Sequence, residues 1–211
     1  FLALMAKCGE MGYPSAVTAP VWGFQDVLFK GNELSFKQKY GTYVMENILF
    51  KISYPAEFHA QTAVEAAINL HSLVKDKLDT IEKIVIETQE SGNRIINKTG
   101  KLNNPADRDH CIQYMVAISL IKGSLVAEDY EDDIANLSIV DEIRAKMQVC
   151  ENTRYSKEYL EADKRSIGNA IQVFFKDGTS THLESVDYPV GHRRRREEGI
   201  PLLVEKFEHS I

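Results

Sequence analysis

The sequence predicts an α+β fold: an inserted domain with helices and a small antiparallel sheet, flanked by helical segments that belong to a larger all-helical domain. From Glu57 onward, apolar residues recur at spacings of three and four, which is typical of a helix packed against a core. Asp177 and Gly178 join two apolar stretches and favour a tight turn between antiparallel strands. Helical patterns at both ends flank this region, as expected for a domain inserted into a helical one.

Composition restricts the class of protein. The chain has 211 residues, of which 44% are hydrophobic and 27% charged, enough for one domain or two small ones. The net charge of −6 gives no general electrostatic attraction to nucleic acid. No apolar run reaches 18 residues, so no membrane span is predicted. Cys8, Cys111 and Cys150 form no Cys-x-x-Cys pair, so a reduced compartment is expected, without a disulfide framework or metal site.

The first residues predict the last turns of a helix. The opening "FLALM" is mostly apolar, and polar residues follow it up to Gly9 or Gly12, where the helix would stop. No cleavage-site pattern of a signal peptide is present. A helix met midway favours a chain that is part of a longer polypeptide. A genuine start whose first residues were removed is the alternative.

The remaining elements follow from local patterns along the chain. We predict a loop and short helix up to residue 29, an irregular stretch to Pro55 and a long helix from Glu57. The later segments are a strand in 81–90, a polar loop in 92–110, an apolar helix from Pro105 to Gly123, one or two acidic helices in 128–147, a short strand at 147–151, the hairpin in 169–189 and a helical tail after 191. The predicted division is 1–55, 56–188 and 189–211.

A first polar cluster lies at the start of the long helix. Pro55 suits a position just before a helix, and Glu57 places a negative charge in the first turn, where the helix dipole favours it. This capping interpretation accounts for Glu57 but needs neither Lys51 nor His59. The segment 51–59 is therefore a helix cap or part of a site.

A second polar cluster precedes the apolar helix. His110 and Tyr114 are four residues apart, which predicts one shared helix face, and an imidazole and a phenol on one face can serve as acid and base. The alternative is structural. Asp107 would cap the helix, Arg108 and Asp109 would be solvated charges, and Tyr114 would belong to the core.

A third cluster is the basic run 192–196. Glu197 and Glu198 follow it at once, and no aromatic residue interleaves it, unlike a strip that binds nucleic acid. Arginines also bind carboxylates in a bidentate manner, which favours a polyanionic small substrate. We expect at least one arginine to face substrate and the others to pair with acidic residues. A non-catalytic binding module that uses the run for an acidic partner is the alternative, as is a wholly solvated or structural run.

Four motifs carry a resemblance to a known family. "GEMGYPSAVTAPVWGF", "KISYPAEFHAQTAVEAA", "NNPADRDHCIQYMVAISLI" and "DYPVGHRRRREEGIPLLVEKF" together resemble the 2-methylcitrate dehydratase family, also called MmgE/PrpD. The resemblance covers nearly the whole chain, and four long motifs in the same order are highly specific.

The resemblance implies a fold and an activity. It implies an α+β lid domain inserted into a large all-helical domain, with the active site in the cleft between them. It also implies that the chain is a C-terminal portion, inactive alone, of an enzyme that removes water from 2-methylcitrate to give 2-methyl-cis-aconitate. A tricarboxylate substrate is expected, with no cofactor, iron–sulfur cluster or metal, no nucleic acid or membrane, and a homodimer when full length. The expected location is cytoplasmic, or the mitochondrial matrix in a eukaryote.

The resemblance also implies the roles of the site residues. Elimination removes a weakly acidic proton next to a carboxylate, so the site needs a base, an acid for the departing hydroxyl and cations for the developing charge. The predicted catalytic residues are Lys51, His59 and Tyr114, and the predicted substrate-binding residues are Glu57, His110, Arg193 and Arg194.

Overall fold

The computed structural model describes residues 1–35 and 52–208, which belong to two compact units, Phe1–Val44 and Met45–Ile211. The described part of the first unit contains α1 (Leu2–Lys7) and α2 (Phe24–Phe29). Both helices were predicted. Gly9 follows α1 with a φ of 93°, a left-handed value that ends a helix and that glycine adopts without strain.

The second unit contains the elements that position the candidate site. A 3₁₀ turn, Phe58–Ala60, leads into the long helix α3 (Gln61–Val74), which confirms the helix predicted from Glu57 onward. The remaining elements are β1 (Ile81–Thr88), α4 (Glu90–Ile96), α5 (Pro105–Arg108), α6 (Ile112–Lys122), α7 (Asp132–Ala135), α8 (Ser138–Ala145), β2 (Met147–Glu151), α9 (Thr153–Leu160), β3 (Asn169–Phe175), β4 (Glu184–Val186) and α10 (Arg196–Glu208).

The four strands form one sheet in the order β2-β1-β3-β4. Strand β3 runs antiparallel to both β1 and β4, with Ile84 opposite Val173. Strand β2 is parallel to β1, so the sheet is mixed where the sequence predicted an antiparallel one. The connection from β1 to β2 contains helices α4 to α8 and has the length that a parallel crossover needs. The α+β class is confirmed.

The predicted hairpin is confirmed at its turn. Gly178 has a φ of 83°, which glycine allows at little cost. The Asp177 Oδ1 atom accepts hydrogen bonds from the backbone N–H of Thr179 at 2.9 Å and from its hydroxyl at 2.6 Å. Side-chain bonding to nearby backbone is the reason that aspartate favours such turns.

The core lies between the sheet and two helices. Helix α3 packs against α6 on one side and against β3 and β4 on the other. Residues from Ile112 to Leu120 are all buried, so α6 is a central helix rather than a surface one. Gly123 ends α6 with a φ of 72°, and a Cβ atom there would lie 2.7 Å from the ring of His71. Glycine adopts this φ without strain and leaves room for the His71 ring. The predicted end of the helix near Gly123 is therefore confirmed.

Three segments differ from their predictions. The polar loop predicted over 92–110 contains α4, because packing that buries Ile96 outweighs the weak helix propensity of Gly92. The helix predicted to begin at Pro105 is split into α5 and α6 by the residues 109–111. Helix α9 lies in a segment for which no element was predicted.

Parts of two predictions lie outside the described residues, namely residues 36–51 of the irregular stretch and the last three residues of the tail. The predicted boundaries 1–55, 56–188 and 189–211 stay a prediction. No helix of 1–35 or 52–208 is long and apolar enough to cross a membrane.

Candidate active site

Glu57 and His59 form a hydrogen-bonded pair at the start of the long helix. The Glu57 Oε2 atom accepts the backbone N–H of His59 at 2.7 Å, so Glu57 caps the 3₁₀ turn. The Glu57 Oε1 atom lies 2.9 Å from Nδ1 of the imidazole. The two side chains are only 13% and 11% exposed. The capping interpretation is therefore confirmed for Glu57, and the same carboxylate also contacts the imidazole of His59, while the site interpretation stays a prediction.

The pair fixes the tautomer of His59. An ionised carboxylate only accepts hydrogen bonds, so in the neutral imidazole Nδ1 carries the proton and Nε2 keeps its lone pair. The Tyr159 hydroxyl lies 3.5 Å from Nε2, and the centroids of the two rings lie 5.8 Å apart. A neutral imidazole with a free Nε2 can take a proton, and the carboxylate stabilises the imidazolium that results.

The charge state of Glu57 favours this arrangement. Burial alone would raise the pKa of the Glu57 carboxyl, but the hydrogen bonds and charge of His59 outweigh burial and lower the pKa below its ordinary value of 4.5. The charge of His110 acts on the pKa of Glu57 in the same direction. Glu57 is therefore a carboxylate at neutral pH.

We expect Glu57→Gln to destabilise the fold in a pH-dependent way. Since the folded pKa is lowered, the carboxylate stabilises the native state above pH 4.5, and this contribution is lost as pH falls through the folded pKa. The difference in free energy of unfolding between parent and variant should be about 1–2 kcal/mol at pH 7 and should shrink towards pH 3, as measured by urea unfolding. Glu142→Gln, an exposed change on α8, is the control. A difference that stays constant from pH 7 to pH 3 would contradict the prediction.

The backbone of His59 is held from the sheet. The Asn169 Nδ2 atom donates to the carbonyl oxygen of His59 at 2.8 Å and to the hydroxyl oxygen of Thr62 at 2.7 Å. Asn169 is fully buried at the start of β3. The site thus combines the start of α3, the start of β3 and the end of α9.

His110 lies in a second carboxylate–imidazole pair. Its Nδ1 atom is 2.6 Å from the Asp109 Oδ1 atom, and its side chain is about half exposed. Cys111 is the N-cap of α6, so His110 precedes the helix. The predicted shared helix face of His110 and Tyr114 is therefore wrong, because the chain leaves helical geometry between α5 and α6.

Tyr114 lies in the core. It is 1% exposed, and its hydroxyl donates to the carbonyl oxygen of Asp129 at 2.5 Å while its ring stacks on Tyr130. Burial raises the pKa of Tyr114 to about 12. This geometry agrees with the core alternative, and the catalytic role of Tyr114 stays a prediction.

The structural alternatives for the neighbouring charges need two corrections. Asn104, rather than Asp107, is the N-cap of α5, and the Asp107 carboxylate accepts the backbone N–H of Asn103 at 3.0 Å. Arg108 is buried rather than solvated, because its guanidinium donates to the carbonyl oxygen of Tyr130 at 2.5 Å and to Asp132 at 2.6 Å.

A cavity of about 440 Å³ lies beside Tyr114 and includes Arg108 and Arg144 in its lining. Both guanidinium groups already donate to carboxylates and backbone carbonyl oxygens, Arg144 to Asp141 and to Gly100. The described residues that line the cavity do not include the Glu57–His59 pair. The candidate site is therefore the Glu57–His59 pair, which lies outside the lining of this cavity.

The basic run divides into structural and exposed arginines. Arg195 makes a bidentate contact with Glu65, with distances of 2.8 and 2.9 Å, and also bonds Glu198, as predicted for the arginines that pair with acids. Arg193 and Arg194 are exposed, and each donates one N–H to the carbonyl oxygen of Asp163 at 2.8 Å.

The first residue of the run is not cationic. His192 is 1% exposed and accepts the backbone N–H of Arg194 at its Nδ1 atom. Burial, with the charges of Arg193 and Arg194, lowers the pKa of His192 to about 4. With His192 neutral and Arg195 paired, these two residues add little to the attraction of an acidic partner.

One predicted site residue is not described by the structure, and two residues that contact His59 were not predicted. Lys51 lies outside the described residues. Tyr159 and Asn169 were missed, since each reaches His59 across at least 100 residues of sequence and no local pattern marks it. Among residues 1–35 and 52–208, no group of three or more His, Cys, Asp or Glu side chains is placed to hold a metal ion, and the absence of a metal stays a prediction.

Comparison with known proteins gives a family match. The model of the MmgE/PrpD C-terminal domain matches residues 54–211. The whole chain is 57% identical to the 2-methylcitrate dehydratase of Escherichia coli K12, covering 44% of that protein. It is 59% identical to the mitochondrial 2-methylcitrate dehydratase of Yarrowia lipolytica and 53% identical to a probable 2-methylcitrate dehydratase of Saccharomyces cerevisiae, covering 41% and 42% of them. The chain thus spans less than half the length of these curated relatives.

Proposed function

The chain belongs to the MmgE/PrpD family, and from that premise we propose that it is the C-terminal portion of a 2-methylcitrate dehydratase. The whole enzyme would eliminate water from 2-methylcitrate to give 2-methyl-cis-aconitate in propionate catabolism. The relatives named 2-methylcitrate dehydratase support the substrate. The observation that carries the chemistry is the Glu57–His59 pair, whose geometry places the Nε2 lone pair of the neutral imidazole 3.5 Å from a hydroxyl group.

His59 is assigned as the base of the elimination. Its Nε2 atom takes the proton from the carbon next to a substrate carboxylate, and the electron pair of that C–H bond forms the new double bond. The hydroxyl on the neighbouring carbon leaves as water, with a proton donated by the acid group of the site. Glu57 holds the ring through Nδ1 and stabilises the imidazolium, so its role is positioning as well as the substrate contact first predicted for it.

The exposed arginines are assigned to the carboxylates of the substrate. A guanidinium has five N–H donors, and Arg193 and Arg194 are each seen to donate one to Asp163. The remaining donors suit bidentate contacts with carboxylates. Lys51 and His110 are proposed to add positive charge where the intermediate concentrates negative charge, and Tyr114 remains a predicted catalytic residue.

The setting of the enzyme is proposed from the same premise. The elimination needs an acid, a base and cations, and we propose that it proceeds without an iron–sulfur cluster. An aconitase-type cluster would need three cysteines, two of them as a Cys-x-x-Cys pair, and this sequence lacks such a pair. The whole enzyme is proposed to be a homodimer. The Yarrowia relative is named as mitochondrial, and we propose the matrix in a eukaryote and the cytoplasm in a bacterium.

We expect the full-length protein to dehydrate 2-methylcitrate and this chain alone to show less than about 1% of its kcat. The reason is that general acid–base and electrostatic terms each supply orders of magnitude, and the chain spans 44% of a typical relative. The measurement is the absorbance of the unsaturated product. A full-length protein without turnover would contradict the proposed function, and near-normal turnover by the isolated chain would contradict the division of the site between two halves.

A further inference from the structure

Within residues 52–208, hydrogen-bonding groups of Glu57, Asn169 and Tyr159 contact His59, and the role of Tyr159 has not been assigned. Glu57 holds the Nδ1 atom and Asn169 holds the backbone carbonyl. The third group is Tyr159, whose hydroxyl lies 3.5 Å from the Nε2 atom, the position that must receive the substrate proton. Tyr159 is half-buried, and its ring is tilted by 42° against the imidazole.

Helix α9 gives Tyr159 a fixed position. Asn152 caps the helix through the backbone N–H of Arg154 and also donates to Glu87 of β1 at 2.6 Å. Tyr155 is 2% exposed, and its hydroxyl lies 2.7 Å from that of Ser185 in β4. The helix is therefore anchored to the sheet at β1 and β4, and side chains on anchored helices are placed more precisely than those on loops.

We propose that Tyr159 is a positioning residue that acts through His59, an inference that rests on the proposed function. Before substrate binds, the Tyr159 hydroxyl donates to the lone pair of Nε2 and keeps the ring from turning away from Glu57. The contact is long, so it yields Nε2 to the substrate proton. Once Nε2 carries that proton, the same hydroxyl accepts the N–H bond, since a phenol is both donor and acceptor.

The proposal predicts a specific kinetic pattern. In the full-length protein, Tyr159→Phe removes one oxygen atom and should lower kcat by about 3–10-fold, the usual worth of one hydrogen bond, while KM changes by less than about 2-fold. Tyr155→Phe is the matched control, because it makes the same change on the same helix, while the bonds of Asn152 and the buried ring at position 155 continue to hold α9. The control should lower the melting temperature, through loss of the bond to Ser185, and leave kcat within about 2-fold.

A second measurement separates this proposal from the proposed function. In full-length protein with ¹⁵N-labelled histidine, the Nε2 resonance of His59, assigned with His59→Gln, should move in Tyr159→Phe and not in Tyr155→Phe. An unchanged kcat with an unchanged resonance overturns the positioning role. A raised KM at constant kcat also overturns it, in favour of substrate binding. A parent protein that does not dehydrate 2-methylcitrate overturns the proposed function and the positioning role with it, and a resonance that still moves would then confirm the contact alone.

Discussion

Replacement of His59 by Gln should lower the kcat of the full-length protein on 2-methylcitrate by about 10²–10⁴-fold, with a much smaller change in KM. A positioned acid–base group contributes about this much to proton transfer, and glutamine cannot accept a proton at neutral pH. The Glu57 carboxylate would keep its place as the cap of the turn, since the backbone N–H of residue 59 remains. The measurement is product absorbance over a range of substrate concentrations.

The matched control is His182→Gln. His182 also pairs with a carboxylate, with its Nε2 atom 2.8 Å from Glu184, but this pair is exposed on the hairpin. Its loss should leave kcat within about 2-fold, because the pair has no contact with the Glu57–His59 pair and exposed ion pairs contribute little. If the His59 variant kept more than about a tenth of the parent kcat, His59 would not be the base.

The predicted part of the site is the part that is local in sequence. Glu57 and His59 are two residues apart at a helix start, so capping chemistry alone brings the carboxylate to the imidazole. Tyr159 and Asn169 reach His59 only after α9 and β3 pack beside α3, and no spacing in the sequence reports such contacts. The same reason explains Arg108. Its charge was expected in solvent, but hydrogen bonds to Tyr130 and Asp132 hold its side chain in a buried position.

The fold shows the same division between local and tertiary causes. The strand β1, the hairpin turn and the helix α3 have strong periodic or turn signals, and each lies where it was predicted. The parallel pairing of β2 with β1 depends on a crossover of five helices, and its register is set by packing rather than by either strand. Helix α4 contains Gly92 and was predicted as a loop, because the contacts that stabilise it come from distant elements.

Arg195→Met should lower the free energy of unfolding by about 2–4 kcal/mol, the largest loss of stability we expect from any arginine of the run. Glu65 lies in α3 with its side chain 15% exposed and would keep a largely buried charge without its bidentate partner. The Tyr188 carbonyl oxygen would lose a donor at 2.7 Å as well. Breaking one half of a buried ion pair costs more than an exposed pair contributes, and this pair is partly buried. Urea unfolding followed by circular dichroism measures the change.

Two further variants test the cause. Arg193→Met, an exposed change in the same run, should alter the unfolding free energy by less than about 0.5 kcal/mol. In Arg195→Met combined with Glu65→Leu, the buried charge is gone, so most of the lost stability should return if the unpaired carboxylate causes the loss. A double variant no more stable than Arg195→Met would show that the contacts of Arg195 with Tyr188 and Glu198 matter more. Arg195 would still be structural in that case. Its bonds connect the Tyr188 carbonyl oxygen to Glu198 in the first turn of α10.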